Sequence, residues 1–282
     1  HVLSKNKSPS LPFLCPFGTS IQNGIDLKPR CLYLLCDGNS PSKGILRMVA
    51  SKMEFICLAD SKKHSERCIA GKIVGGHDHG KWFRPVSDRP SRGLSNPEAS
   101  YKYGVYVKNL DWASVDIKGK HEHEYQVENY IISNTPSWNK LGTLPTNKLD
   151  DILDKPDILW KNGLQSNHCM NNQVHERHLG EPMQTLYFIK IDKLDYISVD
   201  IEGAAFGRPS TKVRAYFLYN GTRYKLAITD IATEALYKAK GEGLYYPTDI
   251  KYFTISLSEI FTRAAGYVKG QGYAYKVIAG VF

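Results

Sequence analysis

The sequence predicts a mainly β protein built from two small β-barrels with a few short helices. Three observations support this fold class. The 282-residue chain contains 18 Tyr and 10 Phe against four Met, and flat aromatic side chains suit pleated sheets. Short apolar segments recur along the chain between turn-forming residues, as is typical of barrels and sandwiches. One turn is Asn220-Gly221, the dipeptide that a type I′ hairpin favours.

Residues 1–52 differ in character from the rest of the chain. They are rich in Ser, Pro, Gly and Asn and show no helical or strand period. Prolines interrupt each apolar patch, which argues against a secretory signal. We expect a disordered or non-native extension, with the natural protein beginning at Met53, where an apolar strand starts, or at Met48.

Residues 53–182 are expected to hold the first barrel and an irregular connection. Strands are predicted at 54–59, 68–76, 82–86, 101–107 and 112–118. The third strand should stop at Pro85, because proline cannot donate to a central ladder. From about residue 128 the pattern weakens, and one or two helical turns are predicted before Pro156.

Residues 183–282 are expected to form the second barrel. Strands are predicted at 183–191, 196–203, 212–219, 222–230, 249–258 and 272–282. Alternation in the hairpin places Val213, Ala215 and Phe217 on one face. A helix is predicted over 231–240, with Thr229 or Asp230 as its N-cap. A small barrel with a helix between strands is the outline of an OB-fold.

The charge and cysteine distributions limit the choice of partner and compartment. The net charge is +9, yet residues 1–52 hold seven basic and two acidic residues, against 30 and 26 in the remainder. The body is therefore mildly basic, and binding to a polyanion must depend on local patches. Six scattered cysteines favour a reducing cytoplasm. No apolar run is long enough to cross a bilayer, so no membrane association is expected.

A cluster of aromatic and basic side chains on the third strand is the main candidate surface. Strand alternation places Trp82 and Arg84 on one face with Phe83 opposite, and Arg89 follows closely. OB barrels bind single strands by stacking bases on aromatics and contacting phosphates with cations. We therefore predict Trp82 and Arg84 as an exposed pair that contacts nucleic acid together with Arg89. The alternative is a Trp packed beneath an Arg stem.

Three further residues are predicted to contact nucleic acid. Arg67 and Lys72 border strands beside the first hairpin turn, where phosphate contacts would release counterions. Gln126 can hydrogen-bond a base edge, although such side chains also satisfy buried backbone groups. For the neighbouring Asn129 we favour the structural role.

No catalytic residue, metal or cofactor is predicted. The chain lacks G-x-S-x-G, G-x-x-x-x-G-K-[ST] and G-x-G-x-x-G motifs. Its histidine pairs lie in predicted loops and lack the spacing of a zinc site. The pairs are His77 and His79, His121 and His123, His168 and Cys169, and His175 and His178.

Several stretches together resemble those of bacterial proteins with a dual OB-containing domain. They are CLADSKKHSERCIAGK (57–72), WFRPVS (82–87), YQVEN (125–129), ILW (158–160), ISLSE (255–259) and YKVIAGV (275–281). The resemblance implies two OB-like barrels and a nucleic-acid-binding role in a prokaryotic defence or RNA-repair context. It covers no part of residues 1–52 and brings no catalytic residue.

The sequence thus predicts a non-catalytic protein that binds single-stranded RNA or DNA. Two other classes of function stay open. One is a metal-dependent enzyme that acts on nucleotides or RNA ends and uses the His-rich loops. The other is a protein–protein adaptor in which Trp82 and Trp160 meet a partner chain. Metal analysis of the purified protein and a binding screen across nucleic acids would separate these classes.

Overall fold

The structure is a computed structural model that describes seven ranges of the chain. They are residues 51–63, 65–123, 125–133, 138–180, 182–204, 207–261 and 268–282. Residues 1–50 of the predicted extension lie outside these ranges, and the first strand begins at Ser51. The described residues all belong to one compact unit.

Five strands in the first half of the described chain close into a barrel. The six strands of this half are β1 (Ser51–Lys63), β2 (Glu66–Ile73), β3 (Trp82–Val86), β4 (Asp111–Lys120), β5 (Asn129–Ile132) and β6 (Asn139–Thr143). β1 pairs with β2 and β4, β2 with β3, and β4 with β5, all antiparallel. A parallel pairing of β3 with β5 closes the ring. The result is the five-stranded Greek-key barrel of an OB-fold.

A second barrel with the same pairing scheme occupies the rest of the chain. Its elements are β7 (Gln173–His175), β8 (Leu186–Lys190), β9 (Lys193–Glu202), β10 (Ser210–Tyr219), β11 (Thr222–Ile228), α1 (Ile231–Lys240), β12 (Gly243–Tyr245), β13 (Tyr252–Leu257) and β14 (Tyr273–Val281). The sheet runs β12-β9-β10-β11-β14-β13-β8, with β11 parallel to β14. Only Ile191 and Asp192 separate β8 from β9, so these two strands act as one bent strand that closes the barrel.

Short 3₁₀ helices lie in the connections. They span Pro97–Ala99, Lys102–Gly104, Thr146–Ile152 and Glu176–His178. The strand predicted over 101–107 is therefore wrong. Tyr103 and Gly104 both adopt positive φ, and the Tyr103 side chain is fully exposed. Alternating tyrosines and valines favour a strand. In the described part of the chain, however, this segment joins neither sheet and turns back on itself, with Ser100 bridging Tyr106.

The hairpin and helix predictions are confirmed. Asn220 and Gly221 have φ of 44° and 73°, as a type I′ turn requires. Val213, Ala215 and Phe217, which were predicted to share one face of β10, are all buried. α1 spans the predicted residues, and the Asp230 carboxylate accepts a hydrogen bond from the Thr233 N–H at 2.8 Å.

Three hydrophobic clusters organise the described residues. Two fill the barrels, around Phe55 and Phe83 in the first and around Phe217 and Phe253 in the second. The third lies between the barrels, and we call it the seam. It consists of Ile56, Leu58, Ala59, Ala70 and Trp82 of the first barrel, Leu186, Phe188 and Ala279 of the second, and Leu149 of the connection.

At the seam, β1 and β14 approach backbone to backbone. The Thr254 hydroxyl donates a hydrogen bond to the carbonyl of Leu58. A Cβ atom added to Gly280 would overlap that same carbonyl oxygen. The missing side chain at Gly280 is therefore what lets the second barrel pack against β1.

Substitution of Gly280 is expected to weaken the seam. Gly280→Ala should lower the free energy of unfolding by about 1–3 kcal/mol, because the added methyl group forces the backbones apart. Urea unfolding would measure the change. The matched control is Gly142→Ala, whose Cβ would lie 3.6 Å from the Trp112 ring, an ordinary contact. Equal effects of the two substitutions would contradict this account of the seam.

Lys276 on β14 is a buried amine with uncharged acceptors. Its side chain is 1% exposed. The ammonium donates to the Lys161 carbonyl at 2.9 Å and to the Asn162 amide oxygen at 2.7 Å, and it lies 5.3 Å from the Tyr224 ring centroid. Burial lowers the pKa of Lys276 to about 7.

This depressed pKa makes stability depend on pH in a defined window. The unfolded lysine titrates near pH ~10.4, so above pH 7 the unfolded chain binds a proton that the folded protein lacks. Raising the pH from about 7 towards 9 should stabilise the protein by up to about 1.4 kcal/mol per pH unit. Lys276→Met should flatten that slope, whereas exposed Lys102→Met should leave it unchanged. Equal slopes in urea unfolding of wild type and Lys276→Met would contradict the prediction.

Candidate nucleic-acid interface

The predicted exposed pair, Trp82 and Arg84, is buried. Their exposed fractions are 6% and 5%. As expected from alternation, Phe83 lies inside the first barrel and Trp82 on its outside. The prediction that the pair is exposed is nevertheless wrong, because the second barrel covers this outer face of β3.

Trp82 and Lys72 are held at the seam by one carboxylate. Asp154, in the connection between the barrels, accepts hydrogen bonds from the Trp82 indole N–H at 3.0 Å and the Lys72 ammonium at 2.8 Å. It also accepts from the Phe188 N–H at 2.8 Å. The Lys72 ammonium lies 5.6 Å from the Trp82 ring centroid. Through these contacts, Trp82 and Lys72 help to hold the two barrels together.

Arg84 joins a buried polar network that links the two barrels. Its guanidinium lies 2.9 Å from the Glu128 carboxylate and donates to the Thr185 hydroxyl at 3.1 Å. The Thr185 hydroxyl in turn donates to Glu128. Among the described residues, the Arg84 Nε has no partner, although it is buried. Buried polar atoms rarely lack partners, and the Glu128 Oε2 atom is also buried without one in the described chain.

Gln126 and Asn129 lie beside Arg84. The Gln126 amide donates to the Leu257 carbonyl at 3.4 Å and accepts from the Asn129 amide at 3.3 Å. Both side chains are 3% exposed. The structural role favoured for Asn129 therefore has support in this bond, but within the described chain its Oδ1 has no hydrogen-bond donor.

Arg67 and Arg89 are both bound to carboxylates. Arg67 forms two hydrogen bonds to Asp60, at 3.1 and 2.6 Å, and its guanidinium lies 4.3 Å from the Tyr106 ring centroid. Burial raises the pKa of Asp60, and the Arg67 guanidinium opposes that rise. Arg89 lies 2.6 Å from Glu66 and 2.8 Å from Glu98.

A pocket of about 480 Å³ lies between the two barrels, and we call it the seam pocket. Its most buried lining residues include Arg84, Val86, Gln126, Asn129 and Leu257, and we call Arg84, Gln126, Asn129 and Leu257 the floor. The pocket forms where the β2–β3 ladder is short. β3 pairs with β2 only at Trp82 and Phe83 and continues along β5, since Pro85 has no N–H to donate.

Basic and aromatic side chains form the rim of the seam pocket. The basic rim residues are Lys62, Arg67 and Arg92, and the aromatic ones are Phe261 and Tyr275. Phe261 is 57% exposed, and its ring centroid lies 6.0 Å from that of Tyr275. Glu259 also lines the pocket. Arg67 and Arg84 are paired with carboxylates, and the Arg92 guanidinium lies 3.7 Å from the Asp88 carboxylate. Among the described rim residues, Lys62 therefore supplies most of the positive charge that is not paired with a carboxylate.

Of the six residues predicted from the sequence, the pocket brings together Arg67, Arg84 and Gln126. Sequence reasoning missed Phe261 and Arg92. The stretch ISLSE ends two residues before Phe261, and its resemblance to the family is the only sequence signal near that ring. The adaptor alternative also required exposed Trp160, but that indole is buried and donates to the Gln184 carbonyl at 2.9 Å.

A second aromatic surface, the tyrosine face, lies on the outside of the second barrel. Tyr196 on β9 and Tyr216 on β10 are directly opposite, with ring centroids 5.1 Å apart. Arg223 lies 5.6 Å from the Tyr216 ring centroid, and Lys225 5.9 Å from that of Tyr196. Asp195 is 2.5 Å from Arg223 and reduces the positive charge of this face.

The described residues contain neither a metal-binding cluster nor a membrane-spanning helix. In the ranges given above, no group of three or more His, Cys, Asp or Glu side chains could hold a metal ion. Within the same ranges, no helix is both long and apolar enough to span a membrane.

Comparisons with known proteins identify one domain model. The model of the dual OB-containing domain matches residues 53–281. No curated protein matches the chain. Two solved structures are similar at 10% identity: "Molecular basis for abrogation of activation of pro-inflammatory cytokines" and "Structural mimicry for functional antagonism". The first has a TM-score of 0.30, and the match covers 86% of this chain and 98% of that structure's chain. The second has a TM-score of 0.29, and the match covers 83% of this chain and 91% of the other.

Asp154→Asn is expected to loosen the seam. The substitution leaves the buried Lys72 ammonium without a counter-charge, which should cost about 3–5 kcal/mol of unfolding free energy. Thermal and urea unfolding would measure the loss. The matched control is Asp151→Asn in the same connection, where the 65% exposed side chain lies 3.4 Å from Lys148. That change should have an effect below about 0.5 kcal/mol. A loss no larger at Asp154 than at Asp151 would refute the proposed role of this carboxylate.

Proposed function

The chain belongs to the family of proteins with a dual OB-containing domain, and we propose that it binds single-stranded nucleic acid in the seam pocket. One observation carries the proposal. A single pocket combines buried hydrogen-bonding groups on its floor with cations, the exposed Phe261 ring and the partly buried Tyr275 ring on its rim. Single-stranded nucleic acids are bound by this combination of phosphate contacts and base stacking.

The proposed site uses three of the six residues predicted from the sequence. Arg84 and Gln126 supply hydrogen bonds on the floor, and Arg67 contributes to the rim. Trp82 and Lys72 support the site indirectly, because they fix the barrel that forms its other wall. Direct contact of Arg89 with nucleic acid stays a prediction.

The size and charge of the pocket favour a single strand. About 480 Å³ accommodates a ligand of nucleotide size, whereas a base-paired duplex is far too wide to enter. With Lys62 as the main unpaired cation and Arg92 held beside Asp88, we expect contacts to only one or two phosphates. Stacking on Phe261 and Tyr275 would then contribute much of the affinity, at about 1–3 kcal/mol per base.

The biological setting is part of the proposal. The resemblance of the sequence motifs supports a prokaryotic context in defence or RNA repair. The scattered cysteines, of which Cys57, Cys68 and Cys169 are free thiols, support a cytoplasmic location. We propose a binding role without catalysis.

Binding of fluorescent single-stranded RNA and DNA, followed by anisotropy at several salt concentrations, tests the proposal. Phe261→Ala should weaken binding by about 1–3 kcal/mol, because a base can no longer stack on the ring. Lys62→Glu should weaken binding and reduce the slope of log affinity against log salt by about 0.7 for each phosphate that is no longer neutralised.

Two exposed residues outside the pocket provide matched controls. Tyr103→Ala removes a fully exposed ring, and Lys102→Glu makes the same charge change as Lys62→Glu. Both controls should retain wild-type affinity. The absence of binding to any single strand would reject the proposed function. Wild-type affinity of both pocket variants would place binding elsewhere on the protein.

A further inference from the structure

We infer that the seam pocket receives the terminal nucleotide of a strand rather than a passing run of nucleotides. The inference rests on the proposed function and specifies which part of the nucleic acid is recognised. It draws on the size of the pocket, its closed floor and the two unpartnered polar atoms of the residues that form that floor.

The volume of the pocket limits how much of a strand can enter. OB-type grooves that track a strand contact about 4–16 nucleotides. A cavity of about 480 Å³ lies in the range of pockets that enclose a single small ligand. One nucleotide fits within such a volume, and a run of four does not.

The floor of the pocket blocks passage of a strand. Arg84, Gln126, Asn129 and Leu257 are each at most 5% exposed. Gln126 bonds the Leu257 carbonyl and Arg84 bonds Thr185, so contacts between the barrels form this floor. A strand that enters from the rim therefore meets the joined barrels and has no exit through the floor. The nucleotide that contacts the floor is therefore the last one of its strand.

The floor also offers a donor and an acceptor suited to a nucleotide. Arg84 Nε is an unpartnered donor and Asn129 Oδ1 an unpartnered acceptor within the described residues. Arg84 is held by Glu128 and Thr185, and Asn129 by Gln126. Both unpartnered atoms are buried, so a nucleotide at the floor reaches them through a small shift of the floor side chains. A phosphate or base carbonyl can accept from Arg84, and a sugar hydroxyl or base amine can donate to Asn129.

The tyrosine face provides the contrasting case. Tyr196 and Tyr216 lie half-buried on the outer face of β9 and β10, and neither lines the seam pocket. A nucleic acid bound there could continue in both directions, and its ends would not matter. A comparison of molecules with and without ends therefore distinguishes the two surfaces.

The experiment compares one short single-stranded oligonucleotide in linear and in covalently circular form. The linear form should bind at least about tenfold more tightly, a difference of about 1.4 kcal/mol. Cys68 lines the pocket and Cys169 does not, and both thiols are free. Alkylation by iodoacetamide, read peptide by peptide in a mass spectrometer, should be slowed by the linear form at Cys68 alone.

A pocket-filling variant strengthens the test. Cys68→Trp should abolish the preference for the linear form, because the indole occupies the space of the terminal nucleotide. If this variant does not fold, the protection of Cys68 from alkylation in the wild-type protein tests the inference instead.

The other outcomes separate failure of this inference from failure of the proposed function. Equal binding of both forms, without protection of Cys68, would overturn the terminal site and leave nucleic-acid binding intact. Binding of a free mononucleotide with no binding of linear strands would overturn both. Failure of every nucleic acid to bind would reject the proposed function and this inference with it.

Discussion

The packing of the first barrel on the second is the constraint on which the candidate site depends. Trp82 and the apolar residues of β1 cover Phe188 and its neighbours, and Asp154 accepts hydrogen bonds from the indole and from Lys72. A buried charge pair is tolerated only when its polar atoms are satisfied, and Asp154 meets this condition with bonds to three donors. Because the seam pocket takes its walls from both barrels, it exists only while this packing holds.

The polar network beside the pocket has a different character. Asp154 accepts from three donors, whereas Arg84, Glu128 and Asn129 each keep a buried unpartnered atom, as far as the described residues extend. An unsatisfied buried polar group costs about 1–3 kcal/mol. The fold carries this cost beside the pocket, where we propose that a polar ligand binds. The same arrangement is typical of binding sites, in which preorganised groups remain unpaired until the ligand arrives.

Two barrels with one pairing scheme give an asymmetric molecule. In the first barrel β3 is parallel to β5, and in the second barrel β11 is parallel to β14. The second barrel adds α1, whose N-cap Asp230 accepts from Asn109 of the first barrel at 2.8 Å. Burial raises the pKa of Asp230. The pocket is correspondingly asymmetric, with Cys68 and Val86 from β2 and β3 of one barrel and Leu257 and Tyr275 from β13 and β14 of the other.

The sequence by itself determined most of the strands, the Asn220-Gly221 turn, α1 and the inward position of Phe83, because each depends on residues only a few positions apart. Only the tertiary structure decided which outer face is covered and where the pocket lies. Arg84 lies near Ser256, 172 positions away, and Trp82 bonds Asp154, 72 positions away. Alternation correctly placed Trp82 on the outside of its barrel. Whether that outside faces water depends on a second barrel whose position no local pattern encodes.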